Sequence, residues 1–340
     1  MKQLTCEMCG STDLIKEDGV FVCQACGIKY SVEEAKKMMI DGIVEVTGTV
    51  TVDDSTKIDN YYMLAETAFN IGKYEEAENY CKKILEIDST HYKALFLEAK
   101  RMRKQFFKNG EFFGSDEYFN IEHTEGHDNV LPTIIKKLNL IHDYLINTLN
   151  HSSKSFISEI INEMYELSSF FCNQIKICTD FDDEWFHCWV RCGGDHAFPI
   201  LDCFCNYYKN NILPLLNKYH AAPPACINKA SIKLMNKANQ IPMVVKRGFF
   251  RNEHAEAFNK LAKIKYMELS ITLKNEEKTT DISIYRELIS LMNDYKSYYY
   301  RYPDNANTHL NELSHGTSIE DLSNRMDLYS KKINELAHLT

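Results

Sequence analysis

Cys6 and Cys9 are two residues apart, Cys23 and Cys26 repeat that spacing, and thirteen residues separate the two pairs. Glycine follows each pair, at Gly10 and Gly27. A segment this short cannot bury enough apolar surface to hold itself folded. A bound metal supplies what the core lacks. Zinc prefers a tetrahedron of soft thiolates at about 2.3 Å. A two-residue spacer lets a tight turn aim both sulfurs at one ion, and glycine after the second cysteine suits a turn with positive φ. Four thiolates leave no open position, which defines a structural site rather than a catalytic one. Cys6, Cys9, Cys23 and Cys26 are therefore the expected ligands of one structural Zn2+. The alternatives fit less well. Disulfides need an oxidising compartment, and Met1 to Cys6 carries no secretory apolar run. A redox CxxC comes singly beside a βαβ pattern.

The residues between the pairs read as a hairpin. Leu14-Ile15 leads to Glu17-Asp18-Gly19, and Val20-Phe21-Val22 enters the second turn. Residues 1–30 are thus a zinc ribbon. Residues 31–57 are a connector. Ser31 and Glu34 form a capping box that opens a short helix through about Ile40. Val44, Val46, Val50 and Val52 then alternate with Glu45, Thr47, Thr49 and Thr51, the period of a strand. An amphipathic strand must pair its backbone somewhere. It can join the ribbon, fold as its own hairpin about Gly48, or pair with a partner or a second copy, so homo-oligomerisation through residues 43–52 is one expectation. Asp53 to Lys57 reads as a linker.

Residues 58–104 change period. Tyr61, Leu64, Ala65, Ala68 and Phe69 form one apolar face, Gly72-Lys73-Tyr74 a turn, and Ala77, Cys81, Ile84 and Leu85 a second face. Ala65 and Ala77 are small enough to let the two helices approach closely. A third helix runs from Tyr92 to about Lys104. This is one helical-hairpin repeat of about 34 residues without a clear second copy, so it must pack on the helices C-terminal to it. Residues 105–340 form a helical region of unassigned type. Its first part, to about 130, reads as loop, and amphipathic stripes then resume: Ile134-Leu138-Ile141-Leu145-Leu149, Ile157-Ile160-Met164-Leu167-Phe171-Ile175, Ala257-Leu261-Ile264-Met267-Ile271 and Ile319-Leu322-Met326-Ile333-Leu336. Thr317 and Glu320 suggest the cap of the last helix. The expected fold class is mainly α, with a small β ribbon at the N-terminus.

Charge narrows the function. The net charge is −9, and residues 1–57 hold six lysines, no arginine and ten acidic residues. Nucleic-acid binders present basic patches, because phosphate contacts supply most of the affinity. Nucleic-acid binding is disfavoured. No apolar run approaches the ~18 residues of a membrane span. Reduced thiols make the cytoplasm the expected location. No phosphate loop, HExxH or GxSxG occurs. One region looks chemical: Cys172, Cys178, Cys188, Cys192, Cys203, Cys205 and Cys226 crowd together with His187 and His196. A second metal could use Cys188, Cys192 and His196, and a nucleophile could use Cys192 with His196. Neither has a family spacing, and cysteines of this kind pack as small hydrophobes. Trp185 and Trp189 could anchor a partner or fill a core.

The stretches Leu4-Thr5-Cys6-Glu7-Met8-Cys9-Gly10-Ser11, Phe21-Val22-Cys23-Gln24-Ala25-Cys26-Gly27 and Tyr30-Ser31-Val32-Glu33-Glu34-Ala35-Lys36-Lys37-Met38 resemble a group of uncharacterised bacterial cytoplasmic proteins. Those carry a zinc ribbon of the transcription factor IIB type followed by tetratricopeptide-like helices. The resemblance covers residues 1–52 and extends over 58–100, where Gly72, Tyr74 and Ala77 fit the repeat and Ser89 stands in place of its usual proline. It implies zinc on Cys6, Cys9, Cys23 and Cys26, protein binding by the repeat, and no reaction. The expected function is a non-enzymatic zinc-ribbon adaptor whose helical body binds a protein or peptide. The alternative is a transcription-linked or nucleic-acid-associated factor. An enzyme centred on residues 172–226 is a third reading.

Overall fold

A turn containing Gly19, at φ +83°, folds the N-terminal chain back on itself. β1 (Leu14–Glu17) and β2 (Val20–Cys23) are antiparallel, with Leu14 opposite Cys23 and Glu17 opposite Val20. β3 (Lys29–Tyr30) adds to the other edge of β2, pairing Phe21 with Tyr30. The computed structural model describes residues 5–17, 19–32, 34–35, 54–106, 130–180, 197–247, 250–274, 282–314 and 318–338. It divides into two compact units, Met1–Lys57 and Ile58–Thr340.

In the first unit, Leu14, Phe21 and Ile28 pack around buried Cys6, Cys23 and Tyr30. The capping box at Ser31 is formed: the Glu34 backbone N–H donates to Ser31 Oγ at 3.2 Å, and the Ser31 N–H donates to the Glu34 carboxylate at 2.8 Å. The alternating segment 43–52 lies outside the described residues, as do residues 36–40.

The second unit opens within α1 (Asp54–Asn70), at Ile58, and continues with α2 (Tyr74–Ile87) and α3 (Tyr92–Phe106). The linker expected at Asp53–Lys57 is corrected here, because α1 already starts at Asp54. A polar first turn reads like a linker, yet an acidic residue is favourable at a helix N-terminus. The turn between α1 and α2 is a Schellman cap. Gly72 sits at φ +79°, Lys73 N–H donates to Ala68 C=O at 2.9 Å, and Gly72 N–H donates to Phe69 C=O at 3.0 Å. Ala65, Ala68, Phe69, Ala77, Cys81 and Leu97 form the core of these three helices.

The other faces of α3 join a larger core. Next come α4 (Val130–His151), α5 (Ile157–Asp180) and α6 (Ala197–Tyr207). A π-helical turn, Tyr208–Ile212, leads into α7 (Leu213–Lys218). Pro214 lacks an N–H, so the backbone must adjust at this point in the helix. After α8 (Ala225–Gln240) comes a small hairpin of β4 (Lys246–Arg247) and β5 (Phe250–Arg251). The chain ends with α9 (Glu253–Leu273), α10 (Ile282–Arg301), α11 (Pro303–Ser314) and α12 (Ile319–Ala337). One continuous set of buried side chains runs from Phe96 on α3 to Leu322 on α12. α9 is its hub, packing on α6, α8, α10 and α11. Where α8 and α9 meet, Ser231 and Ser270 exchange hydroxyl-to-carbonyl bonds, each 2.9 Å, so both buried hydroxyls are satisfied.

The four stripes face this core, although on α12 only Leu322 is fully buried. The cap of α12 is shifted by one residue from the Thr317–Glu320 frame. Ser318 accepts from the Asp321 N–H at 3.1 Å, and Asp321 accepts from the Ser318 N–H at 2.8 Å. Both frames satisfy the sequence pattern, and the reciprocal serine–aspartate pair is the one formed. Among the described residues, no helix is long and apolar enough to cross a membrane.

Candidate metal centre

The two CxxC turns are built alike. Gly10 N–H donates to Cys6 C=O and Gly27 N–H donates to Cys23 C=O, both at 2.8 Å. Cys6 N–H reaches Ser11 C=O at 2.8 Å, and Cys23 N–H reaches Ile28 C=O at 2.9 Å. Gly10 and Gly27 sit at φ +70° and +75°. A Cβ at either would meet nothing within 4 Å, so what these positions require is the backbone conformation and not space. The hairpin fixes the second turn, and the Gln24 N–H to Asp13 C=O bond of 2.9 Å ties it to the strand entering β1.

These turns bring the sulfurs of Cys6, Cys9, Cys23 and Cys26 within 4.8 Å of one another. Cys6–Cys26 and Cys9–Cys23 are each 3.6 Å apart. A thiolate tetrahedron with ~2.3 Å bonds has edges of about 3.8 Å, close to these separations. Four sulfurs this close cannot all carry charge without a cation between them. The donor set and its spacing therefore fit a four-coordinate metal ion. Cys6 and Cys23 are buried while Cys9 and Cys26 face solvent, so the site opens on one side. Among the described residues, no other group of three or more Cys, His, Asp or Glu brings ligand atoms this close.

Sequence reasoning missed Tyr30. Its hydroxyl lies 3.0 Å from Cys6 Sγ, and both are buried. That contact is the foremost reason the Cys6 thiol is drawn down to about 6, and it pushes the Tyr30 hydroxyl up to about 12. The signal available was weak: an aromatic residue four positions beyond the last cysteine, on a strand only two residues long. A phenol donating to a metal-bound thiolate is the kind of outer contact that orients a ligand and tunes its affinity.

The second candidate region is only partly brought together. Cys172, Cys178, Cys203, Cys205 and Cys226 line the inside of α5, α6 and α8, buried or half-buried, as packing residues. Cys188, Cys192, His187, His196, Trp185 and Trp189 lie outside the described residues.

The family model described as Tetratricopeptide repeat matches residues 58–91, which run from the second turn of α1 to the residue before α3. No curated protein and no solved structure matches the chain. The match suggests a protein-interaction role for the α1–α2 hairpin, and the cysteine cluster at the N-terminus is compatible with a metal ion.

Proposed function

We propose that this chain is a non-enzymatic adaptor, in which a structural zinc ribbon precedes, in the chain, a helical body that docks a protein or peptide. The single observation behind this reading is the tetratricopeptide match over residues 58–91, which coincides with the close-packed α1–α2 hairpin. The metal is read as zinc because four thiolates in a tetrahedral spacing and no open position suit a closed structural site. Such a site contributes folding energy and not chemistry.

Met63 and Leu64 on α1, and Ile71 directly after its last residue, are exposed although large and apolar. Residues seven and eight apart share a helix face, so the three form a short stripe that a partner would cover. The acidic ribbon is a poor phosphate surface, which sets this reading above the nucleic-acid alternative. The thiolate site needs reduced cysteines, consistent with a cytoplasmic home. Pairing of residues 43–52 between copies belongs to the same proposal as a route to self-association.

The test is affinity capture from source-cell lysate with wild-type protein and with the double variant Met63→Glu/Ile71→Glu. A protein retained by wild type and lost from the variant, with helical circular dichroism unchanged, supports docking on α1. Equal capture by both overturns that surface. A salt-sensitive mobility shift of DNA or RNA would favour the alternative.

A further inference from the structure

We propose that the outer face of α8 is a docking surface for an acidic peptide segment of a partner protein, bound in an extended conformation. A gap in the charge pattern points to it. Acidic residues outnumber lysine and arginine 48 to 39 over the chain, yet residues 203–252 hold eight lysines and arginines and not one Asp or Glu. This run spans most of α6, the π-helical turn, α7, α8 and the β4–β5 hairpin. On α8, Ile227, Ala230, Ser231, Leu234 and Ala238 are buried. Asn228, Lys229, Ile232, Asn236, Asn239 and Gln240 recur with helical spacing on the opposite side, and all six are exposed. Both ends of the row are anchored. Before it, His220 closes α7 at φ +54°, and Ala221 N–H donates to Leu216 C=O at 2.9 Å. The Tyr165 hydroxyl of α5 then donates to Ala222 C=O at 2.9 Å. After it, the Asn259 amide of α9 donates to Pro242 C=O at 2.9 Å, and Asn252 N–H donates to Val245 C=O at 2.7 Å. Exposed Lys218 stands beside the first anchor and exposed Lys246 beside the second.

Charge and donor chemistry decide the partner. Among the described residues, Lys218, Lys229 and Lys246 form no ion pair with a carboxylate. The acids of α9, which packs on α8, are held by other cations. Glu253 meets Arg301 at 3.4 Å, Glu256 meets Arg251 at 2.5 Å, and Glu268 meets Arg325 at 2.5 Å. On α5, the other helix packed on α8, Glu163 and Glu166 meet Arg103, and Glu159 stands further back in the first turn. The positive charge of the three lysines is thus left for a partner. The four amides of the row choose between anionic partners. Each carries a donor and an acceptor, as a peptide backbone does, whereas a phosphodiester chain offers acceptors alone. The row also has no aromatic ring on which a base could stack. Ile232 is its one large apolar side chain, too little for the apolar centre of an ordinary protein interface. An extended acidic peptide fits these terms, with its backbone on the amides and its carboxylates on the lysines. The 16 residues of α8 span about 24 Å, the length of about seven extended residues.

The experiment is fluorescence anisotropy of the full-length, metal-loaded protein with a labelled Glu-Ser repeat peptide of about ten residues. The peptide is expected to bind at about 50 mM salt and to lose about 10-fold in affinity by about 300 mM. A Gln-Ser peptide of the same length is expected not to bind. The triple variant Lys218→Glu/Lys229→Glu/Lys246→Glu is expected to weaken binding by about 10-fold or more. Lys136→Glu/Lys154→Glu/Lys331→Glu changes the net charge equally at exposed positions elsewhere, and is expected to stay within about 2-fold of wild type. Asn236→Ala/Asn239→Ala is expected to weaken binding while leaving its salt dependence unchanged. Failure of wild-type protein to bind the Glu-Ser peptide at low salt overturns the proposal without reference to any variant's folding. So does equal weakening by the two lysine triples, or tighter binding of a DNA or RNA duplex of matched charge. This surface lies on α8 and the exposed stripe of the adaptor reading on α1, so the two tests fail independently.

Discussion

At the scale of single residues, the ribbon depends on contacts beyond its four ligands. Tyr30 packs its ring against the unit's small core and donates its hydroxyl to Cys6. Tyr30→Phe keeps the ring and removes the donor. Zinc affinity, measured by competition with a chromogenic chelator, is expected to fall by about 10-fold, the usual cost of losing an outer partner of a ligand. The cobalt-substituted protein is expected to keep a tetrahedral absorption band with a shifted thiolate charge-transfer. An unchanged affinity and spectrum would reduce Tyr30 to packing. In the helical unit the comparable residue is Arg101. Its guanidinium lies 2.7 Å from the Glu98 carboxylate and 3.2 Å from Glu78 on α2, and both Arg101 and Glu98 are almost wholly buried. Arg101→Met leaves Glu98 buried without its cation and is expected to cost about 3–5 kcal/mol in urea unfolding. The double variant Glu98→Leu/Arg101→Met removes both charges and is expected to recover most of that loss.

At the scale of elements, turns carry strain that the helices do not. Two helix ends use the same Schellman cap, one with Gly72 and one with His220 in the left-handed position. Gly72→Ala has free space for its Cβ, so it is expected to lose only about 1 kcal/mol from backbone conformation. His220→Gly is expected to gain up to about 1 kcal/mol by relieving the same left-handed penalty, and thermal melting checks both signs. α11 holds a pH-sensitive contact against α9 and α10. His309 stacks on Tyr298, meets Phe258 edge-on, faces His254, and is drawn down to about 4, first by burial. Its folded pKa is below the ordinary ~6.5, so the unfolded chain takes up the proton first. Stability is therefore complete above about pH 6.5 and falls as pH drops toward 4. His309→Gln is expected to flatten the difference in urea midpoint between about pH 7.5 and about pH 5, with the remaining slope in the same direction from His91 and His142, which burial also holds down.

The same elements explain what could be read from sequence. The hairpin, the CxxC turns and the α1–α2 packing were legible because each rests on local chemistry: ligand spacing, a glycine turn, and alanines at the crossing point. β3 was not, since two residues carry no period. The start of α1 was hidden because Asp54, Ser55 and Thr56 suit a helix N-terminus as well as a loop. On α9 only the stripe from Ala257 to Ile271 was legible. Tyr266, Leu269 and Leu273 are buried as well, because helices surround α9 on several sides. That arrangement is a property of the tertiary fold and leaves little periodicity in the sequence. Tyr30 was missed for a similar reason, because its partner is 24 residues away.

At the scale of the whole molecule, the two units are held by different forces. The core of the helical unit runs from Phe96 to Leu322 as one continuous set of buried side chains, and among the described residues it holds no cluster of metal-ligating groups. Among the described residues of the first unit, the buried cluster consists of Cys6, Cys23 and Tyr30, and two of these belong to the candidate metal site. A core this small does not offset the entropy of ordering its chain. Ligand thiols must also lose protons to bind metal, so acid and chelators act on the same equilibrium. Treating the protein with a strong metal chelator at neutral pH is therefore expected to unfold the ribbon and leave the helices intact. Amide hydrogen exchange checks this. Protection across β1 to β3 should disappear, while protection in α9 and α10 and the helical circular dichroism signal should not change. Loss of protection in both units together would mean that the ion supports the helical core as well. Retained protection in the strands would mean that hydrogen bonding and the apolar contacts of Leu14, Phe21 and Ile28 hold the ribbon without metal.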